Sequence, residues 1–233
     1  MLRRTMIVQP HTLKEHLHST IWSRALTPEQ MARVEADCFE NFVPRGGFVC
    51  RKGELLENWI GIVEGLVKIN NFSPEGKSVT FAGVPTGGWF GEGSLLKDQV
   101  RKYDVMALRD TRVARMPRAT FEWLLETSLP FNRFLLMQLN ERLGQFIGLV
   151  ENDRTLDIDT RVARCLAAMF NSHLYPGLEK LVQISQEEIG YLSGASRQRA
   201  NQALQLLEKE GLLRLDYGGI RVLDLEGLRH FRA

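Results

Sequence analysis

Cysteine is scarce in this chain. Its 233 residues include three, Cys38, Cys50 and Cys165, none of them in a Cys-x-x-Cys pair. A disulfide framework and a zinc site of ordinary ligand spacing are therefore not expected, and the thiols read as reduced and mostly buried. Histidine is also rare, with five in all, and no His-Glu-x-x-His occurs. Long apolar runs are missing too. No segment approaches the roughly 18 residues of a membrane span, and "MLRRTMIVQPHTLKEHLHST" has a basic start without the apolar stretch of a secretion signal. The expectation is a cytoplasmic protein with no membrane partner. An excess of one charge is lacking as well: the net charge is +2, and from Asp157 to the end ten Lys/Arg meet ten Asp/Glu. Bulk charge gives no argument for nucleic acid, so that argument has to come from where individual residues sit.

Catalytic signatures are equally thin. "SPEGKSVT" holds Gly76-Lys77-Ser78, half of a phosphate-binding loop, but the position five before Gly76 is Asn71, and a β-turn accounts for the segment. "GEGS" lacks the serine-centred elbow of hydrolases. Glu187 and Glu188 stand in a helix first turn, where they favour the dipole. The chain is not expected to be an enzyme.

What is present is a globular composition, 44% hydrophobic and 25% charged, on a length sufficient for two domains. From about Val43 to Met116, short apolar segments are punctuated by glycine: "GGFVCRKGELL", "WIGIVEGLVKINNF", "TGGWFGEGSLL", "YDVMALRDTRVARM". Val105, Ala107 and Val113 alternate with polar neighbours in the strand manner. Turn signals at Pro74-Glu75-Gly76 and Pro85 to Gly88 fall at the intervals of a small β-barrel.

After Pro117 the pattern becomes helical. "PRATFEWLLETS" predicts a short helix and "LPFNRFLLMQLNERLGQFIGLVENDRTLD" a long one. Leu136, Leu139, Leu143, Phe146 and Val150 are spaced 3, 4, 3, 4, the seam of a coiled coil, with Glu141, Arg142 and Gln145 flanking it. A dimer seam is one reading, and packing of this helix on its own barrel is the other.

The most informative stretch is "ISQEEIGYLSGASRQRANQALQLLEKEGLLRL". Ser185 and Glu188 form a capping box, Ile189 and Leu192 supply a buried side, and Gly194 suits a left-handed helix end. Ser196 caps a second helix with Ala200, Ala203, Leu204 and Leu207 at i, i+3, i+4, i+7. Its other face carries Arg197, Gln198, Asn201, Gln202 and Gln205, with Arg199 on the flank: side chains able to read base edges, clustered at the end that enters a major groove. Two strands around Tyr217-Gly218-Gly219 complete a wing. A solvated helical hairpin is the alternative, but such a helix ordinarily carries Glu/Lys pairs, and these first two turns have no acid.

With a glycine-punctuated barrel, a heptad helix and a winged helix-turn-helix in this order, the chain resembles the cyclic-AMP receptor protein/FNR family. "GWFGEGSLL" looks like the family's G-x-x-F-G-E-x-x-L. The resemblance implies an α+β chain: residues 1–130 as N-terminal helices and a jelly-roll β-roll of the cyclic-nucleotide-binding type, 131–156 as the dimerisation helix, 157–233 as the winged helix-turn-helix. It implies a homodimer on palindromic double-stranded DNA, with RNA polymerase as partner. Ser196, Arg197, Gln198, Arg199, Asn201 and Gln202 would form the DNA contact. Gly91, Glu92 and Gly93 would meet a ribose hydroxyl, and Arg101, Lys102 and Tyr103 a phosphate and base. The family's polar base contacts fall on Phe146 and Ile147. The effector would be a cyclic nucleotide or cyclic dinucleotide. In the other reading no effector binds, and Glu92 pairs with Arg101. A four-cysteine iron–sulfur cluster is not expected, since only Cys38 and Cys50 lie in the first half. Haem would need one axial ligand, and His11, His16 and His18, the only clustered imidazoles, read as a solvated helix.

Overall fold

Thr12 and Thr27 start the first two helices, α1 (Leu13–Ser19) and α2 (Pro28–Asp37), each through a reciprocal capping box with Glu15 or Gln30. The computed structural model describes residues 12–72, 78–176, 181–217 and 219–232, with the side chains of 78 and 152–155 left aside. The expectations placed on His11, on Pro74 to Lys77 and on Gly218 fall outside the described residues.

Eight strands follow: β1 (Phe39–Val43), β2 (Phe48–Cys50), β3 (Asn58–Glu64), β4 (Leu66–Phe72), β5 (Ser78–Pro85), β6 (Trp89–Phe90), β7 (Asp104–Ala107) and β8 (Thr111–Pro117). They make two four-stranded antiparallel sheets, ordered β1-β8-β3-β6 and β2-β7-β4-β5. Inward residues of both sheets form the core. The turn at Pro85 closes as expected: Gly88 N–H donates to the Pro85 carbonyl at 3.0 Å, and Gly87 takes φ +86°. A helix of six residues, α3 (Glu92–Lys97), interrupts the strands between β6 and β7.

One end of this core is aromatic. Trp22, Trp59, Trp89, Phe121 and Phe131 are all buried, and the Trp59 and Trp89 rings lie 4.5 Å apart. Gly61 on β3 is required there, because a Cβ would come within 2.5 Å of the Trp89 ring. His16 of α1 stacks on Trp89 at 6.0 Å and is buried. This corrects the expectation of a solvated imidazole for His16, which packs on the roll's aromatic core, while His18 on the same helix is exposed. Among the described residues no group of three metal-ligating side chains forms.

α4 (Arg118–Thr127) leads into α5 (Leu129–Thr155), then α6 (Ile158–Ala168), β9 (Leu181–Val182), α7 (Gln186–Ser193), α8 (Arg197–Lys209), β10 (Leu213–Asp216), β11 (Gly219–Val222) and α9 (Leu225–Arg229). Phe131, Leu135, Gln138 and Arg142 of α5 face the roll and are buried. The opposite margin leaves Leu136, Leu143, Ile147 and Val150 in solvent, at 67, 59, 60 and 51% exposure. Leu139 is half-buried and Phe146 is 36% exposed, and Ile147 joins the exposed stripe beside the expected 3, 4, 3, 4 line. Arg142, expected to flank the seam, points into the roll instead. Among the described residues no helix is long and apolar enough to cross a membrane.

Candidate effector site and nucleic-acid interface

The stretch "GWFGEGSLL" turns sharply at Gly91, where φ is +104° and an added Cβ would lie 2.7 Å from Leu56 Cδ2 and 3.2 Å from Arg101 Nη1. Only glycine lets the backbone pass that close to the arginine. At Gly93 an added Cβ meets nothing within 4 Å, so that glycine has no such steric role. The turn buries Glu92 to 2% exposure, and the loop before β7 buries Arg101 to 1%.

The two do not pair, which corrects the reading in which Glu92 neutralises Arg101. Glu92 is taken from the other side: Arg142 Nε donates to its Oε1 at 3.1 Å, and Trp59 Nε1 to its Oε2 at 3.4 Å. Arg142 also donates through Nη2 to the Trp89 carbonyl. Burial disfavours the charge on Arg142, but the Glu92 carboxylate together with the Tyr175 and Tyr103 phenols offsets it, and the guanidinium pKa is held above its ordinary value.

Arg101 is left with aromatic faces only. Tyr103 lies 4.6 Å and Phe90 5.7 Å from its guanidinium carbon, and Nε, Nη1 and Nη2 have no hydrogen-bond partner. Cation–π contact offsets part of the desolvation cost, yet five N–H donors remain unmet on a group that cannot shed its charge. Tyr103, expected as a base stacker, already covers the guanidinium, and burial raises its phenol pKa. Lys102 is exposed, and its carbonyl accepts from Asn71 Nδ2 at 3.2 Å, so it does not join Arg101 in the buried site. The site therefore offers an oxyanion one buried fork, not two cations.

The DNA-facing end is built as the sequence suggests. Ser185 and Glu188 form the reciprocal capping box of α7, Gly194 ends it at φ +68°, and the Ser196 hydroxyl accepts from the Arg199 N–H. Ala200, Ala203, Leu204 and Leu207 are fully buried. Arg197 and Gln198 are exposed with no bonded side-chain partner among the described residues. Three neighbours are already engaged. Asn201 accepts from Gln186 Nε2 at 2.7 Å, and Arg199 donates to Gln202 Oε1 at 2.6 Å while pairing with Asp159 at 3.4 Å. Of the polar residues at the start of α8, Arg197 and Gln198 are thus the ones left without a side-chain hydrogen bond among the described residues.

Residues 40–128 match the cyclic nucleotide-binding domain, and residues 160–231 the Crp-like helix-turn-helix domain. The chain belongs to the cyclic-AMP receptor protein/FNR family. It is 29% identical over 170 residues to the transcriptional regulator SdrP of Thermus thermophilus, covering 72% of this chain and 80% of that protein. It is 28% identical over 188 residues to a CRP-like cAMP-activated global transcriptional regulator of Mycobacterium tuberculosis, covering 79% and 84%. The structure of FixK2 from Bradyrhizobium japonicum shares the fold with a TM-score of 0.68 at 19% identity, covering 82% of this chain and 96% of that one. The protein is thus a CRP-like transcription regulator, its family consists of regulators rather than enzymes, and its helix-turn-helix domain implies DNA binding.

The sequence reading missed two functional arginines. Arg142 was hidden by attention to the exposed stripe, although Phe131, Leu135, Gln138 and Arg142 form a second stripe at spacings of 4, 3 and 4. Arg109 had no signal at all. It reaches from the roll to α7, the first helix of the helix-turn-helix, where Nε and Nη2 donate to Glu188 at 3.2 and 2.6 Å. Arg45 adds a pair with Glu187 at 3.0 Å, Lys68 lies 4.6 Å over the Tyr191 ring, and Leu192 packs on Gly83. Burial lowers the Lys68 pKa. Leu66 and Leu108 of the roll complete the dock by joining the core of the DNA-binding domain. Arg109→Ala is expected to destabilise the chain by about 2–3 kcal/mol in urea denaturation, because Glu188 is left largely buried without its cation.

Proposed function

We propose that this regulator is a homodimer whose β-roll binds a phosphate-bearing effector of the cyclic nucleotide or cyclic dinucleotide class, and whose Arg197 and Gln198 read the DNA half-site. The observation that carries the effector reading is Arg101, buried to 1% with all three guanidinium nitrogens unpartnered. A buried cation of this kind gains most from an oxyanion. The M. tuberculosis relative is described as cAMP-activated. For this chain, exposure of Lys102 and the apolar Phe146 and Ile147 favour recognition of the phosphate over recognition of a purine edge. The effector-free alternative loses support because Glu92 leaves Arg101 uncompensated.

The dimer reading rests on the exposed apolar stripe of α5 at Leu136, Leu143, Ile147 and Val150. Such a stripe at heptad spacing is stable when a second helix covers it.

Titration calorimetry with cyclic AMP, cyclic GMP and a cyclic dinucleotide tests the sensor. At least one is expected to bind the unmodified protein, and Arg101→Ala to weaken it by about 2 kcal/mol or more; binding indifferent to that substitution would place the site elsewhere. For the seam, Leu143→Asp should shift the protein from dimer to monomer in analytical ultracentrifugation. For DNA, Arg197→Ala is expected to cost about 1–3 kcal/mol on the specific site and relax one base position. An equal loss on random DNA would leave Arg197 as a phosphate contact only.

A further inference from the structure

Two side-chain amides near the start of α8 are held in different ways. Asn201 bonds to Gln186, a second amide, at 2.7 Å. Two amides can exchange donor and acceptor without losing their bond, so this contact fixes neither group's outward atom. Gln202 bonds to Arg199, whose Nη1 donates to Oε1 at 2.6 Å. A guanidinium carries N–H donors and no acceptor, so this bond forms only with the glutamine oxygen turned to the arginine. Gln202 is exposed, and what it has left for anything approaching the helix is its amino group.

Arg199 is itself anchored. Its Nη2 pairs at 3.4 Å with Asp159, in the first turn of α6, and the Asp159 side chain is only 19% exposed. Its backbone N–H is taken by the Ser196 cap. A cation in the first turn of a helix opposes the dipole, and α8 has no acid in that turn to offset it. Asp159 supplies the offset from another helix. The guanidinium thus bridges α6 and Gln202.

We infer that Arg199 is a positioning residue for base selection: by occupying Oε1 it makes Gln202 a donor-only reader that selects guanine over adenine, which rests on the proposed reading of the half-site by α8. A glutamine free to use both ends is matched to adenine, donating to N7 and accepting from the N6 amino group. With Oε1 committed, the Gln202 amino group meets the adenine amino group donor against donor. Guanine presents N7 and O6, two acceptors side by side, and both suit an amino group. Arg197 is donor-only by its own chemistry; Gln202 becomes so through its neighbour.

Selection from a pool of duplexes with a randomised core, using the full chain with and without cyclic nucleotides, yields the bound site. Anisotropy titrations on single-base variants of that site then give the preferences. Gln202→Ala identifies the base pair, as the position whose preference flattens. There the unmodified protein is expected to favour guanine over adenine by about tenfold, and 7-deazaguanine, which lacks the N7 acceptor, to lose part of that margin. Arg199→Met should bring adenine level with guanine or above it at this pair alone. Arg199→Lys, which keeps a donor for Oε1 and a charge for Asp159, should retain the guanine preference. An arginine with a merely structural role would lower affinity for every sequence alike. An adenine preference in the unmodified protein, a loss in Arg199→Met spread evenly over all positions, or no position that answers to Gln202→Ala would overturn the inference and leave reading by Arg197 standing. A pool that yields no enriched site would overturn both.

Discussion

A carboxylate and a guanidinium brought together out of water hold each other in place more firmly than any surface pair, because each is the other's only compensation. In this protein Glu92 and Arg142 make that contact between the turn at Gly91 and the long helix. Trp59 and the Trp89 carbonyl complete the polar groups around them. That helix carries the outer stripe at Leu136, Leu143, Ile147 and Val150 and leads into the DNA-binding domain. A ligand hydroxyl that approaches Glu92 meets a carboxylate already committed to the helix. The turn at Gly91 and the seat of the long helix thus share this one carboxylate.

The neighbouring arginine has the opposite arrangement. Arg101 has aromatic surfaces and, among the described residues, no hydrogen-bond acceptor. Of the two buried arginines beside the turn, Arg142 is paired with Glu92 and Arg101 is not.

Much of this was visible in the residues. The capping box at Ser185 and Glu188, the left-handed Gly194 and the i, i+3, i+4, i+7 spacing from Ala200 to Leu207 are local rules, and local rules survive folding intact. Glycine at 91 was legible for the same reason. The charged partner of Glu92 was not, because Arg142 lies 50 residues away along the chain, and charge pairing across such a separation leaves no periodic trace. The exposed stripe of α5 was recovered only in part. A seven-residue frame passes over Ile147, which is 60% exposed beside Phe146 at 36%. His16 misled for a related reason: imidazoles grouped in a polar sequence read as solvated, until an aromatic core closes over one of them.

Glu188 caps its own helix through Ser185 and at the same time holds Arg109 of the roll. A single carboxylate thus serves local folding and domain docking, and selection cannot adjust one without the other. Substitutions at 188 would be filtered out as misfolded chains before any regulatory phenotype appeared. Arg109, Arg45 and Lys68 carry no such double duty, so inherited changes in how firmly the two domains are held should accumulate on the roll side of the boundary.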